Sequence, residues 1–242
     1  MKARYLWLGL FTFIVSGLIF APASLVTQGL KDVPELRLTA GKGTIWNGQI
    51  AVSYHGRDLG IFDWSLSPML LFTGVVHFNW VLSDSHHDVK GALDVSFDTT
   101  KLIASGHIDA ARINRELSPY HIAIGGRISL NSFKIILDGK QGNHQIDGKI
   151  RWNGGRSTYR LAGELHAITL PPLQGNLTTT SNGPMLIVTN RVEATPLIVI
   201  SIEGGNWANI GITKKFTEIV GQPWPGNVSP DTVVLRVEEK LF

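Results

Sequence analysis

From Glu35 onward, apolar residues in this chain recur mainly at every second position, and that one feature constrains the fold most. A period of two puts alternate side chains on opposite faces of an extended strand. Val76, Phe78, Trp80 and Leu82 therefore form one continuous apolar face. Ile50, Val52 and Tyr54 do the same, as do Phe62, Trp64 and Leu66, and Val89, Gly91, Leu93, Val95 and Phe97. The pattern continues through Leu102, Ala104 and Ile108, Ile128 and Leu130, Ile146, Ile150 and Trp152, and Tyr159, Leu161 and Leu165. Met185 to Thr189, Leu197 to Ile202 and Val233 to Val237 bring the count to about a dozen short strands. Asp138-Gly139, Asn143, Asn153-Gly154-Gly155 and Asn182-Gly183-Pro184 punctuate them. Links this short fit antiparallel neighbours, because parallel strands need long crossovers. The expected fold is mainly β, a curved antiparallel sheet or sandwich with one or two short helices. Ala111 to Leu117 and Thr213 to Val220 are the helical candidates, the second stopped by Gly221 and Pro223. Pro68 to Phe72 reads as a short turn or helix.

The N-terminus follows a different rule. No charged residue occurs between Arg4 and Lys31, and Leu6 to Phe20 is almost wholly apolar. With Leu25 and Val26 the run reaches about 22 residues, enough to span a hydrocarbon core. Lys2 and Arg4 would stay cytoplasmic and send the rest of the chain across. The expected organisation is a cytoplasmic tip and transmembrane helix over residues 1–30, then a β-rich domain over 31–242 outside the cytoplasm. Ala21-Pro22-Ala23 also matches a small-residue cleavage site, so a removed signal peptide is the competing reading. Both readings put the β domain in the same compartment.

The composition excludes several function classes. The absence of cysteine excludes disulfides, cysteine-ligated metal and thiol chemistry. The net charge of +3 is scattered, with no basic cluster of the kind that grips nucleic acid. No Gly-x-Ser-x-Gly, His-Glu-x-x-His or phosphate-cradling glycine loop occurs. His86-His87-Asp88 is the one histidine cluster, and neighbouring strand residues point to opposite faces, so it reads as a polar turn. The acids show no spacing that marks a general acid–base pair. The expectation is a non-enzymatic protein without cofactor or metal.

The chain is rich in tryptophan, with seven: Trp7, Trp46, Trp64, Trp80, Trp152, Trp207 and Trp224. Core filling is the plain reading of the six in the β domain. The functional reading is an apolar groove lined by Phe62, Trp64, Phe78 and Trp80, open to a lipid.

The sharpest local motif is Gly43-Thr44-Ile45-Trp46-Asn47-Gly48. It resembles the Gly-Thr-Val/Leu-Trp-Ser/Asn-Gly motif of the type II secretion system protein N family. In the expected arrangement Trp46 anchors a strand to the core and Gly48 lets it bend. Leu59 to Pro68, with Trp64 and Pro68, is similar to the family's next stretch, and Gly221-Gln222-Pro223 ahead of a last strand is similar to its close. The loop Asp84 to Asp88 and the segment Trp224 to Asp231 depart from the pattern. The resemblance implies an inner-membrane accessory component of the machine that exports folded proteins across the Gram-negative outer membrane. It implies partners among that machine's inner-membrane and periplasmic components, and no catalytic residues. The pattern is also similar to that of AsmA-like periplasmic proteins, which implies a lipid-binding or lipid-transfer module as the alternative.

Overall fold

A computed structural model describes residues 2–140, 144–161, 163–203 and 207–240. They divide into two compact units, Met1–Phe97 and Asp98–Phe242. Both are built from antiparallel strands, as the alternation predicts.

The N-terminal unit begins with helix α1 (Lys2–Ile19) and helix α2 (Ser24–Gly29). The uncharged run is thus two helices rather than one continuous span through Val26. Pro22 causes the break: it has no N–H to donate and its ring disfavours helical backbone at Ala21. Among the described residues no helix is long and apolar enough to cross a membrane.

Strands β1 (Leu36–Gly43), β2 (Asn47–Tyr54), β3 (Arg57–Leu66), β4 (Val76–Ser83) and β5 (His87–Val95) follow, each antiparallel to the next. The register sets Leu38 opposite Val52, Ile50 opposite Phe62, Trp64 opposite Trp80 and Phe78 opposite Leu93. Directly opposed residues share a face, so the separate apolar alternations merge into one apolar sheet face. The β2–β3 turn uses His55 (φ 49°) and Gly56 (φ 73°), positive at both central positions as a type I′ hairpin requires. Helix α3 (Pro68–Leu71) bridges β3 and β4, with Pro68 in its first turn, where the lost N–H costs nothing.

In the C-terminal unit one sheet carries, in spatial order, β6 (Thr99–Asp109), β8 (Arg127–Asp138), β9 (His144–Trp152), β12 (Leu173–Thr180), β13 (Gly183–Asn190), β14 (Pro196–Glu203), β15 (Trp207–Thr213) and β16 (Val233–Lys240). A second sheet of three strands joins β7 (Ile122–Ile124), β10 (Gly155–Leu161) and β11 (Glu164–Leu170). Sixteen strands are therefore seen among the described residues, more than the dozen read from the alternation. The turn expected at Asn143 lies outside the described residues.

The expected helix Ala111 to Leu117 is instead a 3-10 turn (Ala110–Ile113) and a single turn, α4 (Asn114–Leu117). Asn114 explains the interruption. Its side chain bonds both backbone groups of Ile124, at 2.8 and 3.0 Å, and so ties this corner to β7. The second expected helix is α5 (Lys214–Ile219). Thr213 caps it, its hydroxyl accepting from the Phe216 N–H. Gly221, at φ 76°, follows its end.

Candidate functional site

The N-terminal unit brings the Gly43–Gly48 motif, the apolar face and the Ala21–Ala23 break to one place. Thr44 to Trp46 form the loop between β1 and β2, closed by the Thr44 N–H donating to the carbonyl of Asn47, the first residue of β2, at 2.8 Å. Gly43 enters it at φ 91°, a left-handed conformation that favours glycine. Ala21-Pro22-Ala23 then lies antiparallel against this loop as an isolated β-bridge. The Ala23 N–H donates to Gly43 O at 3.0 Å, the Ile45 N–H donates to Ala21 O at 2.9 Å, and Pro22 faces Thr44. Pro22 fits here because an edge position needs no donor from it.

Trp64 on β3 holds the arrangement from below. It is buried, and its indole Nε1–H donates to Ile45 O at 3.1 Å. Its ring lies over Gly48: a Cβ at that position would stand 2.5 Å from Trp64 Cζ2 and 2.7 Å from Lys42 O. Ala23, Ile50 and Trp64 make one buried cluster, with Leu38, Val52, Phe62 and Phe78 packed against it. The roles expected from sequence therefore change hands. Trp46 is half-buried in the loop and Trp64 is the buried anchor. Gly48 makes room for an indole, while the irregularity between β1 and β2 falls at Thr39 to Lys42.

Beside this seam lies an apolar trough of about 410 Å³. Phe62, Trp64 and Phe78 line it, with Leu38, Ile50, Val52 and Leu66 of the sheet and Leu30 and Ile45 from the N-terminal side. Phe62 stacks on Trp64, Phe78 and Trp80 at centroid distances of 6.1 to 6.3 Å. Trp80 shares the face but is outside the trough lining. The tryptophans divide by environment. Trp64 and Trp152 are buried, each with its indole bonded to a loop carbonyl (Trp152 to Gly125 O, 2.8 Å), whereas Trp7, Trp207 and Trp224 are exposed.

Pro68 opens α3 and Pro223 is exposed in the segment after α5. Near Gly221, the Tyr159 hydroxyl donates to Val220 O at 3.1 Å. These motif residues stand apart from the seam's hydrogen bonds.

Several titratable groups pair with neighbours within the fold. Asp84 Oδ1 accepts from the backbone N–H of His86 and His87, at 2.6 and 2.9 Å, and meets His87 Nδ1 at 2.9 Å. This turn is therefore not wholly solvated, because His87 is buried while His86 is exposed. His77 pairs with Asp94 directly across β4 and β5, a cross-strand partner that linear spacing does not reveal. Among the described residues no group of three His, Cys, Asp or Glu could hold a metal ion. In the C-terminal unit, a hydrogen bond to Glu239 and that carboxylate's charge hold the Tyr120 phenol above its ordinary 10.0.

The seam is signalled only weakly in the sequence. Ala21 and Ala23 carry no periodicity, and their small size is what lets them pack against the loop and indole. Comparison with curated proteins and with solved structures finds no match. Residues 34–213 of the 242, from just ahead of β1 to the end of β15, match the family described as Type II secretion system (T2SS), protein N. The α1 helix, the Ala21–Ala23 bridge and Gly221-Pro223 lie outside the matched residues, while the Gly43–Gly48 loop and Trp64 lie inside. On that match the chain belongs to the type II secretion system protein N family.

Proposed function

We propose that this protein is a non-catalytic accessory component of the type II secretion system, held at the inner membrane by α1 with its β units in the periplasm. Family membership supports a place in type II secretion. The observation that carries the finer reading is the stitching of Ala21–Ala23 into the Gly43–Ile45 loop. It makes the N-terminal segment part of the fold, which favours a retained anchor over a removed signal peptide. Tyr5, Trp7, Leu8, Leu10, Phe11 and Phe13 fall at successive angles around the whole circumference of α1 and are all exposed. A helix apolar on every side suits a non-aqueous surrounding. Its 18 residues rise about 27 Å, a few ångströms short of a hydrocarbon core. Local thinning and flanking residues absorb a mismatch of that size. The partners would be inner-membrane and periplasmic components of the same machine.

The test is secretion of a folded substrate by a strain lacking the gene. Secretion should fall on deletion and return with the full chain. It should not return with a chain begun at Ser24 behind a cleavable signal, which lacks both helix and stitch. Undiminished secretion in the deletion strain would refute the role, and rescue by the shortened chain would refute the anchored form of it.

A second reading rests on the trough. Its apolar lining and volume suit an acyl chain, as in a lipid-binding or lipid-transfer module. Native mass spectrometry of the purified chain distinguishes them: co-purified lipid, lost on Phe62→Asp, supports the trough as a binding site.

A further inference from the structure

The two ends of the β1–β5 sheet differ sharply in charge. At one end lie the β2–β3 turn with Arg57 and Asp58, the β4–β5 turn with Asp84, His86 and Asp88, and the entry to β1 with Asp32 and Glu35. At the other end the connections are Thr44 to Trp46, Ser67 to Val75 and the Ser96-Phe97 stretch, none of which holds a charged residue. Hydrogen bonds and register bring these three together. The Leu66 N–H donates to Trp46 O at 2.7 Å, the Ser67 N–H donates to His77 O at 3.0 Å, and Val76 pairs with Val95. Phe97 lies beside Gly74.

This uncharged end is also where large apolar side chains protrude. Met69 is 79% exposed, Phe72 89% and Phe97 96%. Protruding apolar groups of this size mark an interaction surface. From the same end the chain leads back to α1, since Ala21 is bonded to Ile45 and only Phe20 separates it from the helix. The nearest charges are Lys42, next to last in β1, Asp94, held by His77, and Asp98, which follows Phe97 and is paired with Lys140. A cation at the rim and paired acids suit a phospholipid surface.

We propose that this end of the N-terminal unit rests on the lipid bilayer, with Met69, Phe72 and Phe97 inserted at the boundary between headgroups and acyl chains. The bilayer is the occupant because the patch adjoins the exit of α1, so a membrane holding that helix lies against it. The inference rests on the reading of α1 as the anchor. An interfacial contact of this kind reaches roughly 5–10 Å into the headgroup region. With α1 as a first attachment and the apolar end as a second, the sheet is held end-on to the membrane and the charged turns face away.

The chain has no cysteine, so single-cysteine variants of the full chain can be labelled at one site each. Phe72→Cys, Phe97→Cys, Ser85→Cys and Thr12→Cys are labelled with a polarity-sensitive nitrobenzoxadiazole dye. Each is reconstituted in phosphatidylethanolamine–phosphatidylglycerol vesicles with nitroxide lipids quenching at shallow or deep positions. The expected result is blue-shifted emission and loss of most fluorescence to shallow nitroxides at positions 72 and 97, with water-like, unquenched emission at 85. Deep quenching at position 12 reports the anchor separately. Quenching at 12 with water-like emission at 72 and 97 overturns this inference and leaves the anchor, the outcome expected if a protein partner covers the patch. Quenching at 72 and 97 without quenching at 12 supports the membrane contact and removes the anchor. Water-like emission at 12, 72 and 97 overturns both.

Discussion

Gly48→Ala is a change of one methyl group that should disable the seam. The new Cβ would stand 2.5 Å from Trp64 Cζ2, 2.8 Å from Cη2 and 2.7 Å from Lys42 O. Trp64 is 4% exposed and cannot swing into solvent, and the Lys42 carbonyl is fixed in β1. Overpacking a filled core by one methylene-sized group costs about 1–3 kcal/mol. Displacing the indole also lengthens its 3.1 Å hydrogen bond to Ile45 O, a further loss of about 0.5–1.5 kcal/mol. The expected destabilisation of the N-terminal unit is therefore about 2–4 kcal/mol. Urea unfolding of the full chain in detergent, followed by tryptophan emission, should show the midpoint of that unit lowered by about 1–2 M at unchanged slope. The same substitution made on a Trp64→Leu background should cost at most about half as much, because only the Lys42 carbonyl remains in the way. An unfolding free energy within about 0.5 kcal/mol of the parent would refute the close contact. Equal costs in the two backgrounds would show that the indole is not its cause.

Other outcomes follow from the same geometry. Ala23→Leu forces a large side chain into the Ala23–Ile50–Trp64 cluster, so about 1–3 kcal/mol should be lost and limited proteolysis should cut between residues 24 and 34 faster than in the parent. Thr213→Val removes a fully buried hydroxyl that donates toward Pro196 O (2.8 Å) and Leu197 O (3.1 Å) and caps α5. A loss of about 1–2 kcal/mol in urea unfolding of the C-terminal unit should result. Tyr120 keeps its proton to higher pH than a free phenol because the Glu239 carboxylate accepts from it and repels the phenolate. Absorbance titration at alkaline pH should show its transition moving down toward 10.0 in Glu239→Gln, and an unmoved transition would exclude that pair as the cause.

The strands easiest to read were those with one face packed and one free. In β4 Val76, Phe78, Trp80 and Leu82 recur at every second position, and Phe78 packs against the Ile50–Trp64 cluster from that face. Strand β12 (LQGNLTTT) gave no such signal, because its place is set by backbone ladders to β9 and β13. Strand β1 (LRLTAGKG) hid for a related reason: it is an edge, mostly exposed, and only Leu36 and Leu38 face inward. In the seam, Phe62, Trp64 and Phe78 could be grouped from their period and do share a face. Trp64 and Trp46 could not be ranked, because which indole is buried depends on the gap left by Gly48 across the strand pair. Ala21 and Ala23 were illegible as structure. Two alanines around a proline read as a processing site, and their packing role appears only when the β1–β2 loop is set against them.

The stitch between Ala21–Ala23 and the Gly43–Ile45 loop has a mechanical consequence. An anchor joined to a domain by a slack linker transmits no load until the linker is taut. Here one residue separates the end of α1 from a pair of antiparallel backbone hydrogen bonds. A tilt or pull on α1 therefore acts on the loop as shear across those two bonds. Through Ile45 and the indole of Trp64 it acts next on β3, in the middle of the sheet. Movement of the helix and strain in the sheet become one event, and the Gly43–Gly48 loop is the hinge pin that joins them.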